Sequence, residues 1–302
     1  MKFSIVIPLY NKEKSISRAV NSVLAQSYKD FELIIVNDGS SDNSLAVVEN
    51  IKDRRIKIIS KTNGGVSNAR NVGIDAALCE WILFLDGDDY WKANHLETIL
   101  ELLQKYPDAD MYSTLISENS DKGLNYIANS LADSFEDYVD DYFKHAPYGT
   151  IFHSSSVCIK KEALMNVGGF DTNLKHGEDL DMWFRIMINK KGVVKKTSTV
   201  VYDLFAENRA MLSRCKYENH LLSKIDDYRS TEIKNLNEFI DYFILRNSVP
   251  YYFSEEKKHI NPLLKKVKIN KNIGLLWTYV YSDLFYQINL FLYKFYKYLR
   301  AI

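Results

Sequence analysis

The chain has 302 residues, 46% hydrophobic and 26% charged, with Lys+Arg and Asp+Glu both at 39 and a formal net charge of zero. That is ordinary globular composition, with enough chain for one large domain or two modest ones, and the even charge balance argues against a general nucleic-acid binder. The three cysteines, Cys79, Cys158 and Cys215, are scattered, with no CxxC and no zinc spacing; they read as buried thiols of a reducing compartment.

The chain opens MKFSIVIPLYNKE. This apolar run is too short for a secretory leader and is broken by Pro8, so it reads as a first strand, Phe3–Leu9. A helix over 14–26 follows, with Ile16, Ala19, Val20, Val23 and Leu24 on one face. Then come strand 31–36, helix 41–51, strand 55–59, helix 66–78, strand 81–85, helix 92–105 and strand 109–116. Continuous Ile/Val/Leu runs mark strands buried on both faces. Strand and helix in strict turn imply right-handed βαβ units and an α/β fold: a doubly wound, mostly parallel sheet flanked by helices. In such sheets ligands bind beyond the carboxyl ends of the strands. Those ends read PLYN, VNDGS and LDGDD, all polar and two of them acidic.

From 117 to 150 the pattern weakens. SENSDKGLNY reads as a loop and SFEDYVDDYFKH as an acidic, aromatic helix. SSSVCI (154–159) reads as a strand, KEALMNVGGF as a short helix ending at Gly168-Gly169, and GEDLDMWFRIMIN as a helix starting near Glu178. Beyond about residue 205 the alternation stops, and the remainder reads as helices with Pro250 and Pro262 as breaks. The expected organisation is an α/β domain over 1–205 and a mainly helical C-terminal region over 206–302. No stretch offers eighteen consecutive apolar residues, so no transmembrane helix is assigned.

Asp86, Asp88 and Asp89 follow a greasy strand directly. Carboxylates this close need a cation or hydrogen-bond donors. The plain alternative is an acidic turn that caps the next helix.

Six segments taken in order resemble the family 2 glycosyltransferases with the GT-A fold: SIVIPLYN (4–11), SVLAQSYKDFELIIVNDGSSDNS (22–44), NGGVSNARNVGI (63–74), WILFLDGDDYW (81–91), GGFD (168–171) and GEDLDMWFR (177–185). The resemblance covers residues 1 to about 205. It implies transfer of a sugar from a nucleotide sugar, here a UDP-sugar, to a hydroxyl of an acceptor, with inversion and a divalent metal, Mn²⁺ or Mg²⁺. It implies that Pro8 and Tyr10 line the nucleoside pocket with Asn11 and Glu13 nearby, and that Asp38 accepts from a uracil N3–H. Asn-Asp-Gly-Ser is also good turn chemistry, and Asn37 stands where the family more often has Asp. By the same resemblance Asp88 holds the metal, Asp86 meets the nucleotide and a metal-bound water, and Asp89 supports them. A metal there stabilises charge on a diphosphate leaving group.

Asn68, Arg70 and Asn71 sit at the start of helix 66–78. Arg70 either pairs with phosphate or forms an inward salt bridge to Asp86 or Asp38; both readings stay open. An inverting transfer needs one base. The resemblance makes that base Asp179, with Glu178 binding the acceptor or positioning Asp179. Acids in a first helical turn also stabilise the helix dipole, and Asp181 faces elsewhere on the helix. Trp183 reads as core, and His176 beside Asp179 is a weak indicator alone. The basic or His-containing stretch that many relatives carry after the last strand falls at DLFAENRAMLSR (203–214), where Arg209 could reach the diphosphate.

On a helical wheel the closing segment, 273–302, gathers Thr278, Ser282, Asp283, Gln287, Asn289, Lys294, Lys297 and Arg300 on one half, opposite an aromatic and aliphatic half. Such a helix lies in a membrane interface, packs on its own domain, or packs on a second copy as a homodimer. Family members that build bacterial surface polysaccharides act on lipid-linked sugars. The resemblance therefore implies a cytoplasmic enzyme, peripheral on the inner face of the cytoplasmic membrane.

Two enzyme alternatives fail on the first loop: PLYNKEKS lacks the Gly-rich basic turn of a nucleotidyltransferase and the GxGxxG of a dinucleotide dehydrogenase. A non-catalytic nucleotide-binding or scaffold protein with the same fold predicts a broken acid set, yet Asp38, Asp86, Asp88 and Asp179 are all present.

Overall fold

Strand β1 (Phe3–Leu9) is buried along almost its whole length, as its continuous apolar run requires. In the computed structural model, which describes residues 2–120, 123–126, 130–207, 215–252 and 254–268, β1 is a central strand of the sheet. Helix α1 (Ile16–Leu24) buries Ile16, Ala19, Val20 and Val23. There follow β2 (Phe31–Asp38), α2 (Ser44–Glu49), β3 (Ile56–Lys61), α3 (Val66–Ala76), β4 (Trp81–Phe84), β5 (Tyr90–Trp91) and α4 (His95–Lys105). Then come β6 (Met111–Ser120), β7 (Gly123–Tyr126), β8 (Glu136–Tyr138), α5 (Tyr142–His145), β9 (Val157–Lys160), α6 (Lys161–Asn166), α7 (Glu178–Met187) and β10 (Gly192–Asp203).

The sheet runs β3-β2-β1-β4-β9-β6-β10-β5, with β7 on β6 and β8 on β10. Its long pairings are parallel (β1 with β2, β2 with β3, β6 with β10) and its antiparallel ones are short. This is the mixed α/β fold with a central, mostly parallel sheet that the sequence implies. Strands β2 and β3 lie on one side of β1 and β4 on the other, so the winding reverses between β1 and β4. A ligand crevice belongs at that reversal, beyond the carboxyl ends of both strands.

Several boundaries differ from expectation, each for a physical reason. Helix α4 starts at His95 rather than 92 because Tyr90 and Trp91 still pair with β10, and Lys92 N–H donates to Thr199 O at 2.8 Å. Helix α1 stops before Gln26, whose buried side chain donates to Lys92 O at 2.8 Å and accepts from Leu96 N–H at 3.0 Å. The expected loop SENSDKGLNY is instead a hairpin of β6 and β7. The expected helix SFEDYVDDYFKH is strand β8 followed by α5, which starts only where Asp141 caps it by accepting from Lys144 N–H at 3.0 Å. The sequence pattern gives strand β10 no bounds of its own.

By their own contacts two compact units divide at Leu221. Within the second, α8 (Leu236–Tyr252) and α9 (Lys257–Lys266) run through Pro250 and Pro262 instead of breaking there. Each proline removes one backbone donor, and neither stops its helix. Asp241 anchors this unit, accepting from Arg229 Nη2 and, at 3.0 Å, from Lys268 N–H. Among the described residues no helix is long and apolar enough to cross a membrane. Cys79 and Cys158 are buried as expected, whereas Cys215 is only partly so. Segment 273–302 and Arg209 lie outside the described residues.

Candidate functional site

The loops after β1 and β2 are laced together by side chains. Asn11 adopts a left-handed backbone (φ 51°), which Asn tolerates better than most residues. Its Oδ1 accepts from Ser41 N–H at 2.8 Å, and its own N–H donates to Ser40 Oγ at 3.2 Å. Glu13 Oε2 accepts from Asn43 N–H at 3.0 Å. Asn11 and Glu13 are thus rivets between two loops. Tyr10 is 47% exposed and Pro8 is half-buried. Asn37 serves its own turn, accepting from Ser40 N–H at 3.1 Å.

Asp38 is buried and accepts from three donors: Lys61 Nζ, Gly64 N–H at 2.9 Å and Gly65 N–H at 2.8 Å. These fix the NGG loop at the head of α3. Asn68 lies against the same loop; a Cβ on Gly64 would meet its amide at 3.1 Å.

Two cations meet the acids after β4. Arg70, on α3, has its side chain 3% exposed. Its Nη2 donates to Asp86 Oδ1 at 2.8 Å and its Nη1 to Glu178 Oε1 at 3.2 Å. Of the two partners the sequence offered Arg70, the structure selects Asp86, and it adds Glu178. The guanidinium also lies over the Phe170 ring at 5.2 Å, and its Nε is buried without a partner. Burial pushes the Asp86 carboxyl up, but Arg70, His153 and Lys12 outweigh it and hold the group below its ordinary value. Lys12 Nζ stands 2.7 Å from Asp88 Oδ2. Burial still raises the Asp88 carboxyl, with Lys12 opposing and Asp86 adding to the rise. Asp89 is fully buried, accepting from Ser155 Oγ at 2.5 Å and Asp203 N–H at 3.3 Å. Burial, then Asp86 and Asp88, push the Asp89 carboxyl well above its ordinary value.

Helix α7 begins at Gly177, which is left-handed (φ 80°) and tight against Leu221, where a Cβ would come to 2.8 Å. That turn presents Glu178 and Asp179 at the helix start. Burial and the charge of Asp179 raise Glu178 to about 7 against the pull of Arg70. Asp179 accepts from Leu180 N–H at 2.7 Å, and its charge is felt at Arg70, His153 and Tyr142. Asp181 is fully buried on Arg185, which also donates to Val167 O and Gly169 O and so holds the GGFD turn. Trp183 is core, fully buried.

Three residues escaped the sequence reading. Lys12 is one. Ser155 is the second: besides Asp89 it accepts Asp86 N–H at 3.2 Å, and its carbonyl takes Trp91 Nε1 at 2.7 Å. The third is His153, whose Nδ1 accepts Ser155 N–H at 3.1 Å, leaving the proton of the neutral ring on Nε2. Burial keeps that ring below its ordinary pKa despite Asp86 and Asp179. Their only sequence signal is position, in the loop after one strand and at the entry to another.

Asp86 and Asp88 suit a hard divalent cation. They offer only oxygen, and Asp88 is a half-buried carboxyl whose repulsion by Asp86 a cation would relieve. Among the described residues no group of three or more ligating side chains stands together, so phosphate and water would complete such a shell.

Residues 4–172 match the family described as Glycosyl transferase family 2. An uncharacterised glycosyltransferase of Nostoc (alr2836) is 45% identical over 107 residues, 34% of this chain and 33% of that one. An uncharacterised glycosyltransferase of Rickettsia prowazekii (RP339) is 24% identical over 98% of this chain and 96% of its own. The chondroitin synthase of Pasteurella multocida is 29% identical over 79% of this chain, which spans only 25% of that enzyme. Among solved structures, S. aureus TarS 1-349 in complex with UDP-GlcNAc shares the fold with a TM-score of 0.65, at 20% identity over 94% of this chain and 80% of that one.

Proposed function

The chain belongs to the family 2 glycosyltransferases, and from that we propose an inverting enzyme that moves a sugar from a UDP-sugar to a hydroxyl of a glycan acceptor. The observation that carries the reading is the Arg70 bridge, which ties Asp86 at the end of β4 to Glu178 at the start of α7. Acids of two motifs far apart in the chain share one guanidinium, which supports their acting together.

In this reading the nucleoside lies against Tyr10 and Pro8, with Asn11 and Glu13 holding the loop, Asp38 meeting the base, and Asn68 and Arg70 completing the nucleotide-sugar site. The uracil N3–H donates to the lone-pair position that Asp38 keeps beyond its three loop donors. Asp86 meets the nucleotide. Asp88 and Asp86 would hold Mn²⁺ or Mg²⁺, which supplies positive charge against the diphosphate when bound. The acceptor oxygen bonds to the sugar C1 as the bond from C1 to the diphosphate breaks. Asp179 takes the acceptor proton and UDP departs. Glu178 positions the acceptor from its place on Arg70.

The region up to about residue 205 carries this chemistry. The acceptor we favour is a lipid-linked glycan of bacterial capsule, O-antigen or exopolysaccharide synthesis, met at the cytoplasmic membrane face with segment 273–302 against the lipid. The amphipathic sequence of that segment supports this placement.

The test is a titration of the purified protein with UDP and with GDP, each with and without Mn²⁺. UDP binding that is tight only with metal is the expected result. Failure of both nucleotides under both conditions would overturn the donor site and favour a non-catalytic scaffold.

A further inference from the structure

Lys12 has no part in the reaction as drawn above, yet it touches the carboxylate assigned to the metal. Its Nζ lies 2.7 Å from Asp88 Oδ2 and 2.6 Å from Glu207 O, and the two side chains are only 12% and 16% exposed. The contact is built rather than incidental. Lys12 N–H donates to Ser44 Oγ at 2.7 Å, fixing the backbone at that residue. Glu207 is held in turn, its Oε1 accepting from Lys14 N–H at 3.0 Å and Ser15 N–H at 3.3 Å. The Asp88 backbone is pinned as well, with its carbonyl accepting from Arg18 Nη2 at 3.0 Å.

Asp88 therefore already has a cation. A half-buried ammonium in contact with a carboxylate neutralises it locally, and a second positive charge brought onto the same group is repelled strongly. The two cations exclude each other unless further negative charge arrives. A diphosphate brings that charge, and an ammonium on a four-carbon stem can swing to meet it.

We propose that Lys12 is the resident counter-cation of Asp88 in the donor-free protein, competing with the divalent metal so that metal is held firmly only together with the nucleotide diphosphate. This rests on the reading above that Asp88 is a metal ligand. It makes Lys12 a positioning residue that sets the order of binding.

The test is Mn²⁺ binding by the full chain, followed through the EPR signal of free Mn²⁺, with and without saturating UDP. Four proteins are compared: wild type, Lys12→Met, Lys12→Arg and Lys14→Met. Lys14 is an exposed neighbouring cation and serves as the control for general charge. Without UDP, Lys12→Met should bind Mn²⁺ about tenfold more tightly than wild type. Lys12→Arg keeps the charge and should stay weak, and Lys14→Met should stay within about twofold of wild type because its charge is screened. With UDP the gap between Lys12→Met and wild type should close. If Lys12→Met does not fold, as a thermal melt will show, Lys12→Gln carries the same comparison. Equal Mn²⁺ affinity of wild type and Lys12→Met without UDP, with metal binding intact when UDP is present, overturns the competition and leaves the metal reading standing. Absence of Mn²⁺ binding by every protein, with or without UDP, removes both.

Discussion

Arg70 and Glu178 are 108 residues apart in the chain, yet Nη1 of one donates to Oε1 of the other across 3.2 Å while Nη2 holds Asp86 at 2.8 Å. One buried charge is shared by two acids that are otherwise costly to bury. Replacing it with a neutral side chain of similar length leaves both acids unpaired. Arg70→Met should lose about 3–5 kcal/mol of stability, the usual cost of breaking a buried pair from one side. Affinity for UDP should fall with it. Arg70→Lys should recover only part of either, since one ammonium cannot span two carboxylates as a guanidinium fork does. Urea unfolding and UDP titration check both. An unchanged midpoint together with unchanged UDP affinity would show that the bridge holds nothing in place.

The same bridge carries a pH signature. Glu178 is raised from its ordinary 4.5 to about 7, by burial first and by Asp179 second. A carboxyl raised in the folded state holds its proton more tightly folded than unfolded. Stability is therefore fully present below 4.5 and declines as pH climbs through 7. The decline attributable to this group is at most roughly 3 kcal/mol. Glu178→Gln keeps an oxygen for Arg70 but cannot ionise. Its stability relative to wild type should rise between pH 5 and pH 8, ends that take in most of the climb from 4.5 to about 7. Urea midpoints at the two ends measure this, and parallel pH curves for the two proteins would contradict it.

The parts of the fold legible in the sequence were those where one signal dominates. Strands β1, β2 and β4 are continuous apolar runs buried on both sides, and nothing competes with that pattern. Strand β10 had no legible bounds because VVKKTSTVVYD mixes buried and half-exposed positions and shifts register against β6 between Lys195 and Ser198 and again before Val200. Strand β8 was read as helix because its acids and aromatics have no alternation long enough to register; the exposed ladder of β10 decides its structure. At the site, acids inside motifs could be named in advance. Their partners could not. Lys12, His153 and Ser155 have unremarkable neighbours in sequence and acquire their roles only when β9 and the first loop are brought beside β4. Which of two acids Arg70 would choose was likewise a question of three-dimensional reach.

Gly73 shows how closely α3 is packed on β1. It lies in α3 against β1, and a Cβ there would come within 2.2 Å of Val6 Cγ1 and 2.9 Å of Cγ2. Alanine is the better helix former by about 1 kcal/mol, so propensity alone predicts a gain. Overpacking should win, because Val6 is fully buried in a central strand and cannot retreat. Gly73→Ala is expected to lose about 1–3 kcal/mol net. Val6→Ala in the same chain should return part of that loss, since the two side chains share one space. Thermal melts of the two single variants and the pair decide it, and strictly additive losses would sink the steric account.

Asp179 and Asp181 stand two residues apart on α7, and the site assigns them opposite consequences. Asp181 is fully buried on Arg185, whose other nitrogens hold Val167 O and Gly169 O, so its charge is spent on the architecture of the GGFD turn. Asp179 accepts only the neighbouring Leu180 N–H among its described hydrogen bonds, and its field reaches Arg70 and His153. Asp179→Asn should therefore keep UDP affinity within about twofold while transfer falls by about 10²–10⁴, the usual share of a positioned base. Asp181→Asn should do the reverse. It should lose about 3–5 kcal/mol of stability by stranding Arg185, yet transfer at the wild-type rate per folded molecule. UDP release with a UDP-sugar donor gives the rate, and urea unfolding gives the stability. Full transfer by Asp179→Asn would take the base away from this residue, and a transfer defect in a fully folded Asp181→Asn would move the search for it two residues along the helix.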